Sequence, residues 1–296
     1  MKIIIAGGSG FLGKSLEKHF QNHEVWILTR NPRRSNEIYW DAKNLGEWSE
    51  YLENADVLIN MTGKSVDCRY NDKNRAEILR SRIDSTNILQ KAVENCQNPP
   101  KVWLNSSSAT IYVHAETQLM TETNGIIGDD FSMNICKAWE KAFFEKQNLN
   151  TRKVALRTAI VLGNEGEALK KLKTITRLGL GGKQGSGRQK MSWIHVEDFC
   201  RAVEFIIQNE SIKDVVNVSA PNPIENQAFM AILRNKLNVP FGLPSPVFLL
   251  EIGTLFLQTE TELLLKSRNV YPERLLNYGF QFKFETAENA LEELLG

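Results

Sequence analysis

The chain has 296 residues, of which 42% are hydrophobic, so it is long enough to bury a large core in one or two domains. Its formal net charge of +1 predicts no general attraction to nucleic acid or to a membrane surface. The four cysteines show no Cys-x-x-Cys spacing, which argues against a zinc site or a disulfide framework and favours a reducing compartment. No cleavable signal pattern precedes the first strand, and we therefore expect a cytoplasmic protein.

The first predicted element is a buried parallel strand over residues 3–6, where four apolar residues follow one another. Three glycines come next with the spacing Gly7-x-x-Gly10-x-x-Gly13, and an amphipathic helix begins among them. In this pattern the first glycine allows a tight turn, the second admits a pyrophosphate close to the backbone, and the third lets the helix pack on the strand. The free N–H groups at the helix start also favour an anion. We therefore predict a dinucleotide site, rather than a glycine-rich turn without a ligand, formed by Gly7, Gly10, Phe11, Leu12 and Gly13.

A second buried strand, residues 24–30, ends in Thr29 and Arg30 and is followed by Arg33 and Arg34. In nicotinamide-binding folds, an acidic residue about 20 positions after the glycines often binds the ribose 2′-hydroxyl. Arginine at this place would instead pair with a 2′-phosphate, which a carboxylate would repel. The strand end therefore predicts NADP (NADPH) rather than NAD, the alternative being that these arginines are ordinary loop charges.

Three further strands are predicted in the first third of the chain, at residues 37–40, 55–63 and 101–105. Asp41 follows the first of them and either accepts a hydrogen bond from the adenine amino group or caps the next turn. The second ends in Met61, Thr62 and Gly63, which we expect beside the glycine turn, where parallel sheets bind ligands. Helical apolar spacing predicts a helix over residues 74–95.

A family resemblance rests on four further runs of sequence. The run Ser106-Ser-Ser-Ala-Thr-Ile-Tyr112 resembles the strand-end motif of the extended short-chain dehydrogenase/reductase superfamily, which the glycine turn also matches. Residues 185–198, 219–223 and 272–280 are similar to the "epimerase family" of NAD(P)-dependent oxidoreductases, which has a small C-terminal domain of its own. The resemblance covers essentially the whole chain. It implies an α/β fold, with a Rossmann-type doubly wound parallel sheet and a smaller C-terminal substrate lobe.

The second half of the chain is expected to contribute to both lobes. We predict an NADP-binding core over residues 1–163, to which strand elements near 191–219 return, and mainly a substrate lobe and the family's own domain over residues 164–296. The glycine-rich, cationic run 178–191 is either a lid over an anionic ligand or a long hairpin. The apolar run 246–257 is interrupted by Glu251 and is too short for a membrane span, so we expect a packed helix there.

The resemblance locates the expected chemistry and shows that part of it is missing. The superfamily uses a Tyr-x-x-x-Lys pair on the helix after the serine run, with both side chains on one helix face. Alignment on Glu140 places Ser132 at the tyrosine position and Cys136 at the lysine position, with Lys137 one residue away. The usual acid/base pair is therefore absent, and Cys136 is better explained by packing than by reactivity.

Two residues of the serine run remain catalytic candidates. Ser108 matches the superfamily's substrate-polarising hydroxyl, and Tyr112 either supplies the missing phenol or is a packed aromatic. His114 follows in the same loop, where a lone histidine is more often solvated than catalytic.

Two arginines complete the prediction. Arg82 stands where the superfamily usually has asparagine, at a position that points toward the cofactor in relatives, and it would hold a phosphate or a substrate carboxylate. Arg157 lies in the predicted sixth strand, residues 154–163, and requires either a structural ion pair or a ligand contact.

The function that this pattern favours is an NADP(H)-dependent oxidoreductase or epimerase-like enzyme. Its substrate would be a small or nucleotide-linked carbonyl or hydroxyl compound, polarised by Ser108. The alternative is an NADP(H)-binding sensor or regulator that has lost catalysis, which the missing Tyr–Lys pair favours. We expect no nucleic-acid or membrane partner, no metal, and a monomer or a homodimer.

Overall fold

The computed structural model describes residues 1–146, 150–246 and 265–296. Its strands are β1 (Lys2–Ala6), β2 (Glu24–Thr29), β3 (Glu37–Tyr39), β4 (Val57–Asn60), β5 (Val102–Ser108), β6 (Arg152–Thr158), β7 (Ile160–Leu162), β8 (Lys190–Met191), β9 (Trp193–His195), β10 (Asp214–Val218) and β11 (Ile224–Glu225). The α-helices are α1 (Phe11–His19), α2 (Asp72–Asn95), α3 (Phe131–Phe144), α4 (Glu167–Ile175), α5 (Val196–Gln208), α6 (Asn226–Lys236), α7 (Glu273–Asn277) and α8 (Ala287–Leu295). Short 3₁₀ turns occupy Glu47–Leu52 and Ala109–Ile111, and a π-helical turn occupies Thr176–Leu180.

Seven parallel strands form the central sheet, in the order β10-β6-β5-β4-β1-β2-β3. The chain starts in the middle with β1, builds outward to β3, and then crosses back to build the other half from β4. This reversal of direction beside β1 is the place where open parallel sheets bind ligands, outside the carboxyl ends of the strands. The doubly wound parallel sheet predicted from the sequence is thereby confirmed.

Both faces of the sheet are buried, which explains why its strands are almost continuously apolar. Because strand side chains alternate, Ile3 and Ile5 pack on the face covered by α1 and α5, whereas Ile4 packs on the face covered by α2 and α3. Phe199 of α5 belongs to the first core and Phe143 of α3 to the second.

A smaller lobe has a core of its own. It joins β7 and β9 to α4, α6 and α8, with Trp193, Phe229 and Leu291 fully buried at its centre. The predicted sixth strand therefore divides: β6 belongs to the central sheet, while β7 leaves it after Ala159 and pairs with β9. The prediction of one strand over 154–163 was wrong at this point, because an apolar run carries no signal of where it changes partners.

A late segment of the chain joins the two lobes. Residues 267–271 run between residues 115–120 and residues 190–192. The Met120 N–H donates to the Asn269 carbonyl at 2.7 Å, and the Val270 N–H donates to the Ser192 hydroxyl at 2.8 Å. This joining segment lies beside the large cleft described below.

In the described parts of the chain, helices long and apolar enough to cross a membrane are absent. The helix predicted over 246–257 falls almost wholly outside the described residues.

Candidate functional site

Two glycines of the first turn are required by the fold itself. Gly7 has a φ of +73°, a left-handed conformation that side chains disfavour, and its N–H donates to the Leu28 carbonyl of β2. A Cβ on Gly13 would lie 2.3 Å from the Gly8 Cα, so only glycine lets α1 approach the turn this closely. These residues set the start of α1 directly over the end of β1.

Gly10 is not required by the fold, and this distinguishes it from its neighbours. Its φ of −79° and ψ of 176° are ordinary extended values. The atom nearest to a Cβ built there would be the Gly7 carbonyl oxygen, 3.9 Å away. No described side chain caps α1, so the N–H groups of its first turn stay free for an anion. The open side of Gly10 faces a cleft, and the absence of a side chain there keeps the helix start accessible.

That cleft has a volume of about 1460 Å³ and runs along the carboxyl edge of the sheet. It exceeds the 300–1,000 Å³ typical of sites for small drug-sized ligands, so it has room for a dinucleotide together with a small molecule. The predicted cofactor residues that line it are Gly7, Gly10, Phe11, Leu12, Gly13, Met61 and Gly63. The opposite wall comes from the smaller lobe and the joining segment, and it includes Lys171, Met191, His195, Lys266 and Arg268.

This opposite wall was only partly anticipated from the sequence. Met191 and His195 lie in the run 185–198 that carries the family resemblance, whereas Lys171, Lys266 and Arg268 belong to no motif identified there. The cationic run 178–191 gave a partial signal, since Gln184 and Lys190 do line the cleft. Within that run, Gln184 receives a hydrogen bond from Asn226 at 2.9 Å, which fixes the run to α6.

The end of β2 carries the residues predicted to select the cofactor. Thr29 is buried, and Arg30 is exposed with no ion pair to the described residues. Arg34 instead forms ion pairs with Glu17 at 2.8 Å and Glu37 at 2.6 Å. Of the two arginines, Arg30 and Arg34, it is therefore Arg30 whose positive charge is not paired with a carboxylate of the described residues. Thr29 and Arg30 lie outside the lining of the large cleft.

A side pocket of about 320 Å³ opens next to the large cleft, and the two share Met61, Gly63 and Ser106 in their walls. It also brings together Thr62, Arg82 and Ser108 from the predicted site with Ser132 and Cys136 of α3. Ser132 and Cys136 stand at the positions that the resemblance gives to the catalytic tyrosine and lysine. The structure shows that these two small side chains line a cavity.

Ser108 lies at the mouth of the 3₁₀ turn that follows β5. Its hydroxyl accepts from the Thr110 N–H at 3.2 Å and donates to the Thr110 hydroxyl at 3.0 Å. Both bonds are local, because both join Ser108 to Thr110, which also lines the side pocket. Cys136 is buried, which raises the pKa of its thiol to about 12. It is therefore a protonated, unreactive side chain at neutral pH.

Tyr112 was expected either to supply the missing phenol or to be a packed aromatic, and the structure has it packed in the core. Its side chain is fully buried and lines neither the cleft nor the side pocket. Its hydroxyl donates to Asn217 at 2.9 Å and accepts from Arg157 at 2.8 Å. Burial raises the pKa of the phenol, against the opposing charge of Arg157. This position assigns Tyr112 to the core, because a group sealed from both cavities has no path to a substrate.

Arg157 forms a structural ion pair with Glu140. Its Nε and Nη2 donate to the two oxygens of Glu140, each at 2.8 Å, in the bidentate arrangement that suits a guanidinium. Glu140 also accepts from Ser107 at 2.6 Å. Desolvation would lower the pKa of Arg157, but the hydrogen bonds and charge of Glu140 outweigh it and raise that pKa. The network joins α3, β5 and β6 directly behind the serine run.

The structure also shows the contacts of Asp41 and His114, whose roles the sequence left open. Asp41 accepts from the backbone N–H groups of Lys43 and Asn44, each at 2.9 Å, so it caps the turn after β3. His114 accepts a hydrogen bond from the Ser267 N–H at 3.1 Å and helps to hold the joining segment.

Comparison with known families matches the whole length of the chain. The sequence model of the NAD-dependent epimerase/dehydratase family matches residues 3–219, and that of a domain of unknown function (DUF1731) matches residues 245–294. The epimerase family protein YfhF of Bacillus subtilis is 32% identical, over 100% of this chain and 98% of its own. A Staphylococcus aureus epimerase family protein is 31% identical, over 99% of this chain and 98% of its own.

Solved structures show the same similarity in three dimensions. The human epimerase family protein SDR39U1 (isoform 2), crystallised with NADPH, has a TM-score of 0.90 and 30% identity, and the match covers 100% of this chain and 99% of that one. A nucleoside-diphosphate sugar epimerase from Corynebacterium glutamicum has a TM-score of 0.82 and 27% identity, over 100% of this chain and 58% of that one.

Proposed function

The chain belongs to the NAD-dependent epimerase/dehydratase family, and from that premise we propose that it binds NADP(H) in the large cleft and acts as an oxidoreductase or epimerase-like enzyme. The single observation that carries the proposal is Gly10, whose missing side chain keeps the first turn of α1 open to the cleft although no contact with the described residues requires glycine there. When bound, the nicotinamide ring would supply hydride to a carbonyl carbon or accept it from the carbon that bears an alcohol hydroxyl.

The cleft and the strand ends beside it offer a candidate residue for each part of this cofactor. The turn at Gly7–Gly13 would hold the pyrophosphate with backbone N–H groups. Met61, Thr62 and Gly63 at the end of β4 would line the path of the dinucleotide toward the serine run. Arg30 would bind the 2′-phosphate, which is the group that distinguishes NADP from NAD.

The choice of NADP(H) predicts that Arg30→Ala weakens NADPH binding about tenfold, because an exposed charge-assisted contact of roughly 1.4 kcal/mol is lost. NADH serves as the matched control, since it lacks the 2′-phosphate, and its affinity should not change. Isothermal titration with both cofactors measures the difference. Wild-type protein that binds NADH as tightly as NADPH would contradict this assignment.

Ser108 is the residue that we propose to polarise the substrate carbonyl. The proton would pass through water or another group in the cleft, since Tyr112 is sealed from it. Ser108→Ala should lower the rate of NADPH oxidation about a hundredfold, the usual cost of removing one hydrogen-bond donor to a developing oxyanion. The measurement is a screen of carbonyl compounds followed at the NADPH absorbance, with Ser108→Thr as a control that keeps the hydroxyl. Equal rates in wild type and Ser108→Ala would remove this residue from the mechanism.

A second candidate function, an NADP(H)-binding sensor without catalysis, is favoured by one observation. The tyrosine and lysine positions hold Ser132 and the protonated Cys136, so the superfamily's proton relay is missing. Tight NADPH binding without turnover across the screen would support the sensor. Epimerisation with a retained cofactor differs from both, because it interconverts substrates without net NADPH consumption.

A further inference from the structure

The guanidinium of Arg82 in the side pocket is a cation without an acidic partner among the described residues. Its Nη1 donates to the carbonyls of Lys64 and Ile78, each at 3.0 Å. Its Nε and Nη2 have no hydrogen-bond partner in the described chain, so three N–H donors remain. Burial lowers the pKa of Arg82, and no carboxylate contributes to offset that effect. A largely desolvated charge left in this state is costly unless something pairs with it.

The rest of the pocket wall is suited to an anion. Neither aspartate nor glutamate occurs among its lining residues. Lys64, the other cation there, is already paired with Glu77. The hydroxyls of Thr62 and Ser132 are buried, and within the described structure neither has a hydrogen-bond partner. Thr62 and Ser132 both belong to the wall of the pocket that holds the guanidinium, so the wall has polar side chains that no described residue satisfies.

Size and charge select among the possible anions. The pocket, at about 320 Å³, lies at the lower end of the range for small-molecule sites. It presents one unpaired positive charge, flanked by neutral hydroxyls and held over the Trp139 ring, 5.0 Å from its centre. A guanidinium whose Nε and Nη2 form one free edge matches the two oxygens of a carboxylate, and the other cation of the pocket wall, Lys64, is already paired with Glu77.

We propose that the side pocket is a subsite in which Arg82 binds a carboxylate group of the substrate. The inference rests on the proposed function and narrows the class of substrate. Arg82 and Ser108 line the same small cavity, so an acid group on Arg82 keeps the reacting carbonyl within the neighbourhood of Ser108. The substrate class is then a small oxo acid or hydroxy acid.

The experiment titrates NADPH-saturated protein with oxamate, an unreactive carboxylate shaped like a small oxo acid, and follows the heat of binding. The neutral methyl ester of oxamate and inorganic phosphate are titrated in parallel. Arg82→Gln should weaken oxamate binding at least tenfold. Arg80→Gln is the matched control, because Arg80 lies on the same helix with its side chain exposed, and it should leave oxamate affinity unchanged. NADPH affinity should be the same in all three proteins.

Each result has a defined meaning. Oxamate binding that requires Arg82 and exceeds that of the ester supports the subsite. Equal binding of oxamate and its ester to the wild type overturns it without any variant, so a poorly folded Arg82→Gln protein does not leave the question open. Preference for phosphate over oxamate also overturns the carboxylate assignment. Failure of the wild type to bind NADPH overturns the proposed function instead. This failure is seen in the NADPH titration, before any oxamate is added.

Discussion

Glu140→Ala is expected to lower the free energy of unfolding by about 3–5 kcal/mol, the largest stability loss that we predict for a single substitution. The change removes both carboxylate oxygens that bind the Arg157 guanidinium and leaves a positive charge uncompensated behind the serine run. The side chains involved are only 6% and 12% exposed, so water cannot replace the lost partner. Urea unfolding followed by tryptophan fluorescence measures the effect.

Two controls separate this loss from a general effect of removing an acid. Asp129→Ala breaks the 2.6 Å ion pair with Lys137, but Asp129 is 87% exposed, and its unfolding midpoint should hardly change. In the double variant Glu140→Gln with Arg157→Met, no buried charge remains unpaired, so it should be more stable than Glu140→Ala. If Glu140→Ala unfolded at the wild-type urea concentration, the network would not have the structural role given to it here.

Gly10→Val is expected to reduce NADPH affinity more than a hundredfold while changing stability by about 1 kcal/mol or less. A Cβ added at this position would approach the Gly7 carbonyl oxygen no closer than 3.9 Å, so we expect the fold to tolerate the added side chain. It occupies the space through which a pyrophosphate would reach the first N–H groups of α1. Fluorescence titration with NADPH measures binding, and thermal unfolding measures stability.

Gly13→Ala provides the contrast to Gly10→Val. Its Cβ would lie 2.3 Å from the Gly8 Cα and 2.5 Å from the Gly8 carbonyl oxygen, so this variant should lose stability as well as binding. Unaltered NADPH affinity in a folded Gly10→Val protein would mean that the cofactor does not lie across this turn, and the proposed function would fail with it.

The sheet could be predicted because its signals are local. Apolar runs such as residues 3–6 mark buried strands, and the glycine spacing marks the turn between β1 and α1. The division between β6 and β7 could not be predicted, since it depends on which strand lies alongside each half. The same holds for the small lobe, whose core joins helices from three separate stretches.

Site residues could be predicted where they belong to a sequence motif. They could not be predicted where their role depends on how deeply the fold buries them. Glu140 and Arg157 could each be singled out in the sequence. No local sequence pattern shows that the two side chains form an ion pair between α3 and β6. Tyr112 stands at a catalytic-looking position in a familiar run, and only the packing around it shows that it is sealed. The missing tyrosine and lysine were evident from spacing, yet the cavity left by Ser132 and Cys136 required coordinates.

The joining segment has a consequence for how the protein matures on the ribosome. Residues 267–271 are threaded between stretches made about 150 and about 80 residues earlier, so they cannot take their place until nearly all of the chain has been synthesised. The carboxyl edge of the sheet is complete before that moment, since its last strand is β10. For that interval a nascent chain presents the cleft with its far wall still incomplete.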